Sequence, residues 1–167
     1  MRIMAFQDDL LEQAGHLTKR EPRRPKQASL RRAVSAAYYA LFHLLVDGTT
    51  RNWKHQAQRS ELGRAIEHGR LRKACEQKRA RIKEYLKGNP PIGRERDVAA
   101  QLQRVMDTVI ELQQDRHTAD YDNSKRWARV EVQAKVDAAV TAFASWKGVR
   151  QEDAAQEFLV SLLLKDR

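Results

Sequence analysis

Apolar positions recur every three or four residues along nearly the whole chain, the period of helices that bury one face. Phe6, Leu10, Leu11, Ala14 and Leu17 mark a first helix. Leu30, Ala33, Val34, Ala37, Tyr38, Leu41 and Leu45 mark a second, with Ser29 as the expected cap. Between them, Glu21-Pro22-Arg23-Arg24-Pro25 holds two prolines that interrupt helix hydrogen bonding, so residues 20–27 read as a basic connector. Gly48 and the two following threonines are expected to end the second helix. Ser60-Glu61 opens a helical region through Leu62, Ala65, Ile66, Leu71 and Ala74, kinked or divided at Gly69. It extends through Ile82, Tyr85 and Leu86 to a strong stop at Gly88-Asn89-Pro90-Pro91. From Gly93 onward, Val98, Leu102, Val105, Met106, Val109 and Leu112 form another long stripe, which ends just before a polar turn at Arg116.

Asp122, Asn123 and Ser124 are capping types ahead of a helix marked by Val130, Ala134, Val136, Val140, Phe143 and Trp146 and closed by Gly148. Glu152 to Leu164 predicts a short last helix, whose Phe158, Leu159, Leu162 and Leu163 return to the core or dock on another subunit. No alternating strand pattern, internal repeat or sustained heptad series competes with these helices. The expected fold is all-α, an up-and-down bundle of four to five core helices with an extra C-terminal helix. A length of 167 residues suits one domain, 1–167, with a core over about 27–146, an N-terminal helix and basic connector over 1–26, and a C-terminal helix over 149–167.

Composition narrows the setting. Hydrophobic residues make up 41% of the chain, enough for a core without cross-links, and the single cysteine, Cys75, cannot form an internal disulfide. With no leader segment, a reducing cytoplasm is the expected compartment. The most apolar stretch, Phe158 to Leu164, is far shorter than the roughly 20 residues a spanning helix needs, so no membrane association is expected.

Charge points to an acidic partner. The formal net charge is +10, concentrated near the start, where Arg23, Arg24, Arg31 and Arg32 are candidate phosphate contacts, and between Arg70 and Lys87, where eight residues are Lys or Arg. RNA or a nucleotide is one candidate, and an acidic antitoxin or partner subunit explains the same charge. A solvated helical surface is the third reading.

Several chemistries lack their residues. The five histidines show no compact ligand spacing with Cys75 and no H-E-x-x-H, so no metal site is expected. Gly63 and Gly69 are isolated, without a phosphate-cradling motif, and no cofactor is expected. Ser35 has no oriented acid behind His43, Cys75 reads as a buried thiol rather than a nucleophile, and Trp53 either stacks a base or anchors a loop.

Two segments carry more information. Ser29 to His43 reads SLRRAVSAAYYALFH, and Arg116 to Asp122 reads RHTADYD. Together they resemble the HEPN superfamily, in particular its small bacterial and archaeal branch, with an S-x-R-A-x-Y-Y-A-x-F-H helix and an R-x-x-A-D-Y turn. The resemblance implies a helical dimer of a toxin-antitoxin or defence-related system. It also implies metal-independent RNA cleavage when an arginine is followed by four to six residues and then a histidine. There the arginine holds phosphate while the imidazole moves protons.

This chain departs from that spacing. His117 follows Arg116 directly, and Asp120 and Tyr121 occupy the later positions. Arg51 with His55, and Arg64 with His68, are each one residue too close. Arg116, His117 and Asp120 are therefore candidate catalytic residues only in a rearranged motif; alternatively Arg116 pairs with Asp120 or Asp122 and Asp122 caps the next helix. Tyr39 and His43 share a polar line with Ser35 and either border a cleft with Arg116 or satisfy a contact between helices. Tyr38 reads as core. Three functions follow as expectations: RNA or nucleotide binding with or without catalysis, a metal-independent endoribonuclease toxin, or an interaction subunit for a small nucleotidyltransferase, with Tyr121 as the first acceptor to test.

Overall fold

The structure, a computed structural model, describes residues 5–88 and 92–164. The described residues form seven helices joined by short connectors: α1 Phe6–Lys19, α2 Gln27–Thr50, α3 Gln56–Ala65, α4 His68–Lys87, α5 Arg94–Tyr121, α6 Arg129–Val149 and α7 Asp153–Leu163. The protein is all-α, with no strand among the described residues. No helix among them is long and apolar enough to cross a membrane.

Helix α2 is the axis of the bundle. Sixteen of its residues are buried, including Leu30, Val34, Tyr38, Leu41 and Leu45, because α1, α5, α6, α3 and α7 all pack around it. The α5 stripe is buried as its period predicts, with Val98, Leu102, Val105, Met106, Val109 and Leu112 all facing the core. Helix α7 returns to its own chain: Phe158, Leu159 and Leu162 are buried, and Phe158 meets Trp146 edge-on at 6.2 Å. The free thiol of Cys75 is also buried, which pushes its pKa up.

Several boundaries differ from the sequence expectation. Helix α2 runs through Gly48 to Thr50, and the buried Thr49 and Thr50 satisfy their hydroxyls on the carbonyls of Leu45 and Val46 at 2.8 and 3.1 Å. Its N-cap is Lys26 rather than Ser29. Ser29 lies inside the first turn and donates to Glu21 Oε1 at 2.9 Å, while Glu21 Oε2 accepts from the Lys26 N–H. The chain divides at Ile66 and Glu67 rather than at Gly69, and α3 begins at Gln56 and buries no residue. Gly93, with φ of 64°, starts α5 in a conformation that favours glycine. The expected stop at Asn89-Pro90-Pro91 lies outside the described residues.

Some expected core positions are exposed. Phe6 is outward on α1, where Gln7, Ala14 and Thr18 form the buried line; Thr18 Oγ1 meets Gln133 Oε1 at 2.7 Å, so a polar contact substitutes for an apolar one. On α6 the buried line is Val132, Val136, Ala139, Phe143 and Trp146, which leaves Val130 and Val140 on the solvent side. Tyr85 and Leu163 are exposed near the ends of α4 and α7.

Candidate functional site

The segment expected as a polar turn is the end of α5, which stays helical through Tyr121. Past Leu112 the helix no longer packs by an apolar stripe. It packs by a polar ladder against α2, in which Arg31, Ser35 and Tyr39 succeed each other one turn apart. Arg31 donates to the carbonyls of Ala119, Asp122 and Lys125 at 2.7, 2.9 and 2.8 Å, so it satisfies carbonyls that the helix end leaves free. Its guanidinium is a clamp on the α5 terminus, unlike the open phosphate contact expected of it. Ser35 donates to Asp120 Oδ1 at 2.7 Å, and Arg116 Nη1 donates to Tyr39 Oη at 3.4 Å.

Asp122 does not cap α6, which begins at Arg129 behind Ala128. Its carboxylate accepts from the Ser124 hydroxyl and N–H at 2.6 and 2.9 Å and from the Lys125 N–H at 3.3 Å, closing a local turn. The Ser124 hydrogen bonds hold this carboxyl below its usual range. The loop is tied to α2 a second time: the Gln27 side-chain amide donates to the Trp127 carbonyl and accepts from its N–H, both at 2.9 Å.

Arg116 is the centre of the cluster. Its guanidinium carbon lies 5.5 and 5.8 Å from the ring centroids of Tyr38 and Tyr39, and Nη1 is 3.4 Å from Asp120 Oδ2. That ion pair is a single long contact, and the carboxylate is shared with Ser35. Arg116 Nε is buried and without a hydrogen-bond partner among the described residues, as is Gln113 Oε1 one turn earlier. The guanidinium is thus placed by aromatic packing, with its charge only partly compensated.

Two histidines pack on the same pair of tyrosines. His68, the first residue of α4, shares a 2.8 Å hydrogen bond between its Nδ1 and the Tyr38 hydroxyl, and its ring packs 4.2 Å from Phe42 and 5.6 Å from Tyr39. The Gln113 side chain donates to its carbonyl at 3.0 Å, fixing the start of α4 on α5. His43 stacks on Tyr39 at 6.5 Å and meets Phe42 and Phe6 edge-on at 5.3 and 4.9 Å. Burial pushes the His43 pKa down; burial first, then the charge of Arg116 and the neighbouring His43, does the same to His68. Both imidazoles are neutral at pH 7 and able to accept a proton. Burial also raises the Tyr38 phenol, which stays protonated and anchors the His68 ring.

The structure therefore brings together Tyr39, His43, Arg116 and Asp120 from the sequence candidates. His117 is not among them: it is exposed, and its ring contacts Tyr121 at 5.0 Å, which is itself 69% exposed. Arg23, Arg24 and Arg32 are exposed beyond the start of the polar ladder. His68 is the member that sequence reasoning missed. Among the described residues no group of three or more His, Cys, Asp or Glu is placed to hold a metal ion. In comparisons with family models, curated proteins and solved structures, nothing matches this chain.

Proposed function

We propose that the chain is a HEPN-like protein of a toxin-antitoxin or defence-related system, acting in the cytoplasm as a homodimer, that engages RNA or nucleotide phosphate at the Arg116 cluster. One observation carries this reading: a guanidinium with an incompletely compensated charge lies near the His68 imidazole and packs on Tyr39, against which His43 also stacks. An arginine in that setting suits a phosphate oxygen, because its planar donors match phosphate geometry and the surrounding tyrosine rings hold it in place. Asp120 competes for the same donors and sets how readily an anion enters.

The paired imidazoles favour a second reading, the metal-independent endoribonuclease. One neutral imidazole takes the proton of the ribose 2′-hydroxyl, the 2′-oxygen attacks phosphorus, and the bond from phosphorus to the 5′-oxygen breaks. The departing oxygen takes a proton from water. An acidic antitoxin or a nucleotidyltransferase partner fits the net charge and the exposed Tyr121.

The test is binding and cleavage of mixed-sequence RNA with EDTA present, by wild-type protein beside Arg116→Ala, His68→Ala and His117→Ala. Binding that needs Arg116, without cleavage, supports the first reading. Cleavage that needs Arg116 and His68 but not His117 supports the second. RNA or nucleotide binding that is absent, or indifferent to Arg116, overturns both.

A further inference from the structure

We infer that Arg23, Arg24 and Arg32 form a phosphate track that leads single-stranded RNA along α2 into the Arg116 cluster; the inference rests on the function proposed above. Arg32, Tyr39 and His43 lie on one face of α2, since their offsets are close to whole helical turns. The helical rise puts Arg32 about 10 Å before Tyr39 and the start of α2 about 20 Å before it. A strand entering at the connector therefore meets Arg32 before it reaches the guanidinium and the imidazoles.

The connector that carries Arg23 and Arg24 is held in place. Arg129 donates to the Pro22 carbonyl at 2.8 Å and to the Glu21 carbonyl, which fastens the segment to the start of α6. Glu21, the acid of this segment, turns its carboxylate back onto Ser29 and the Lys26 N–H. Those bonds outweigh burial and hold its carboxyl below the usual range. The two arginines thus project from a pinned backbone, and ordering them on a ligand costs less entropy than ordering a loose tail.

Charge compensation on the other basic run is partial. On α4, Arg72, Lys78, Arg79 and Lys87 each have a carboxylate partner, at 2.9, 3.6, 3.4 and 3.2 Å. Arg23, Arg24 and Arg32 are exposed and have no ion pair among the described residues. Arg81 and Lys83 on α4 are likewise exposed without an ion pair among the described residues, so Arg23, Arg24 and Arg32 are set apart by lying next to the candidate site. The three unpaired guanidinium groups suit a polyphosphate, and the exposed Phe6, packed on His43, lies at the other end of the face from Arg32.

The experiment uses the full chain, EDTA and fluorescently labelled oligouridylates of increasing length, from a dinucleotide to about 12 nucleotides, a span within that of known single-strand sites. Affinity is measured from about 50 to about 300 mM salt, a range over which binding to phosphates weakens steeply. The expected result is affinity that rises with length and then levels. Replacing Arg23, Arg24 and Arg32 by Gln should flatten the salt slope for the longer strands by about 0.7 for each phosphate no longer neutralised, and leave the dinucleotide unaffected. If the dinucleotide binds through Arg116 but length adds nothing, or the triple variant keeps the wild-type slope, the track is overturned and the site stands. If neither short nor long strands bind, the functional reading fails and the track with it. Polyglutamate binding as tightly as RNA, with the same dependence on the three arginines, overturns RNA in favour of an acidic protein partner.

Discussion

Arg116 has two histidines to compare, one adjacent in sequence and one adjacent in space. His117 follows it directly, but consecutive helical residues point about 100° apart, and its ring turns outward to Tyr121. His68 comes from the start of another helix, yet its ring is fixed by Tyr38 and packs on the same aromatic wall as the guanidinium. Sequence proximity on a helix separates side chains by default, whereas packing of α2, α4 and α5 joins residues that no local motif connects. The chemistry of the cluster depends on the packing.

The largest test of that difference is catalytic. If the site cleaves RNA, His68→Ala should lower the single-turnover rate by about 10²- to 10⁴-fold, the usual contribution of a positioned acid or base, and His117→Ala by less than about threefold. Equal losses in the two variants would dissolve the comparison. Circular dichroism must show the α4 terminus intact in His68→Ala, and a His68→Gln variant that restores folding without activity separates chemistry from packing.

The next effect is on stability, at the other end of the polar ladder. Arg31→Ala leaves the carbonyls of Ala119, Asp122 and Lys125 without their donor, which should cost about 3 kcal/mol in urea unfolding. Arg32→Ala, one residue on and exposed, should change stability by less than about 0.5 kcal/mol. A small loss in Arg31→Ala would mean that the α5 terminus holds without its clamp.

This ladder also explains what could be read from the chain and what could not. The α5 stripe from Val98 to Leu112 was legible because apolar burial leaves a helical period in sequence. Beyond it, α5 buries its face with Arg116 and Asp120 against Ser35 and Tyr39, so the same helix reads as a polar turn. Gln7 and Thr18 hid the buried face of α1 for the same reason. That Ser35, Tyr39 and His43 share one line of α2 followed from their register, and on that line Tyr39 meets Arg116 while His43 stacks on Tyr39. His68 carried only the weak signal of following Arg64 by one helical turn, and the intervening break at Ile66 removes even that pairing.

Acidification gives a subtler contrast. Unfolded, His43 and His68 take up protons near pH 6.5, whereas folded they do so at lower pH. Their contribution to stability is therefore complete above about pH 6.5 and is lost as pH falls toward the folded-state values. Urea midpoints at about pH 7.5 and 5 should show a shallower acid drop in the His43→Gln/His68→Gln double variant than in wild type. An identical drop would show that neither imidazole resists protonation in the fold.

The smallest expected effect concerns the competitor already present in the site. Asp120→Asn keeps an oxygen to accept from Ser35 but removes the negative charge 3.4 Å from Arg116. Both side chains are partly exposed, so the ion pair is worth about 0.2 to 1 kcal/mol, and phosphate or dinucleotide affinity should rise by no more than about fivefold. A rise that disappears in an Arg116→Ala background would place the gain on the freed guanidinium. A fall in affinity would instead make Asp120 part of the ligand seat, and Arg116 would then act on a substrate group that needs both charges.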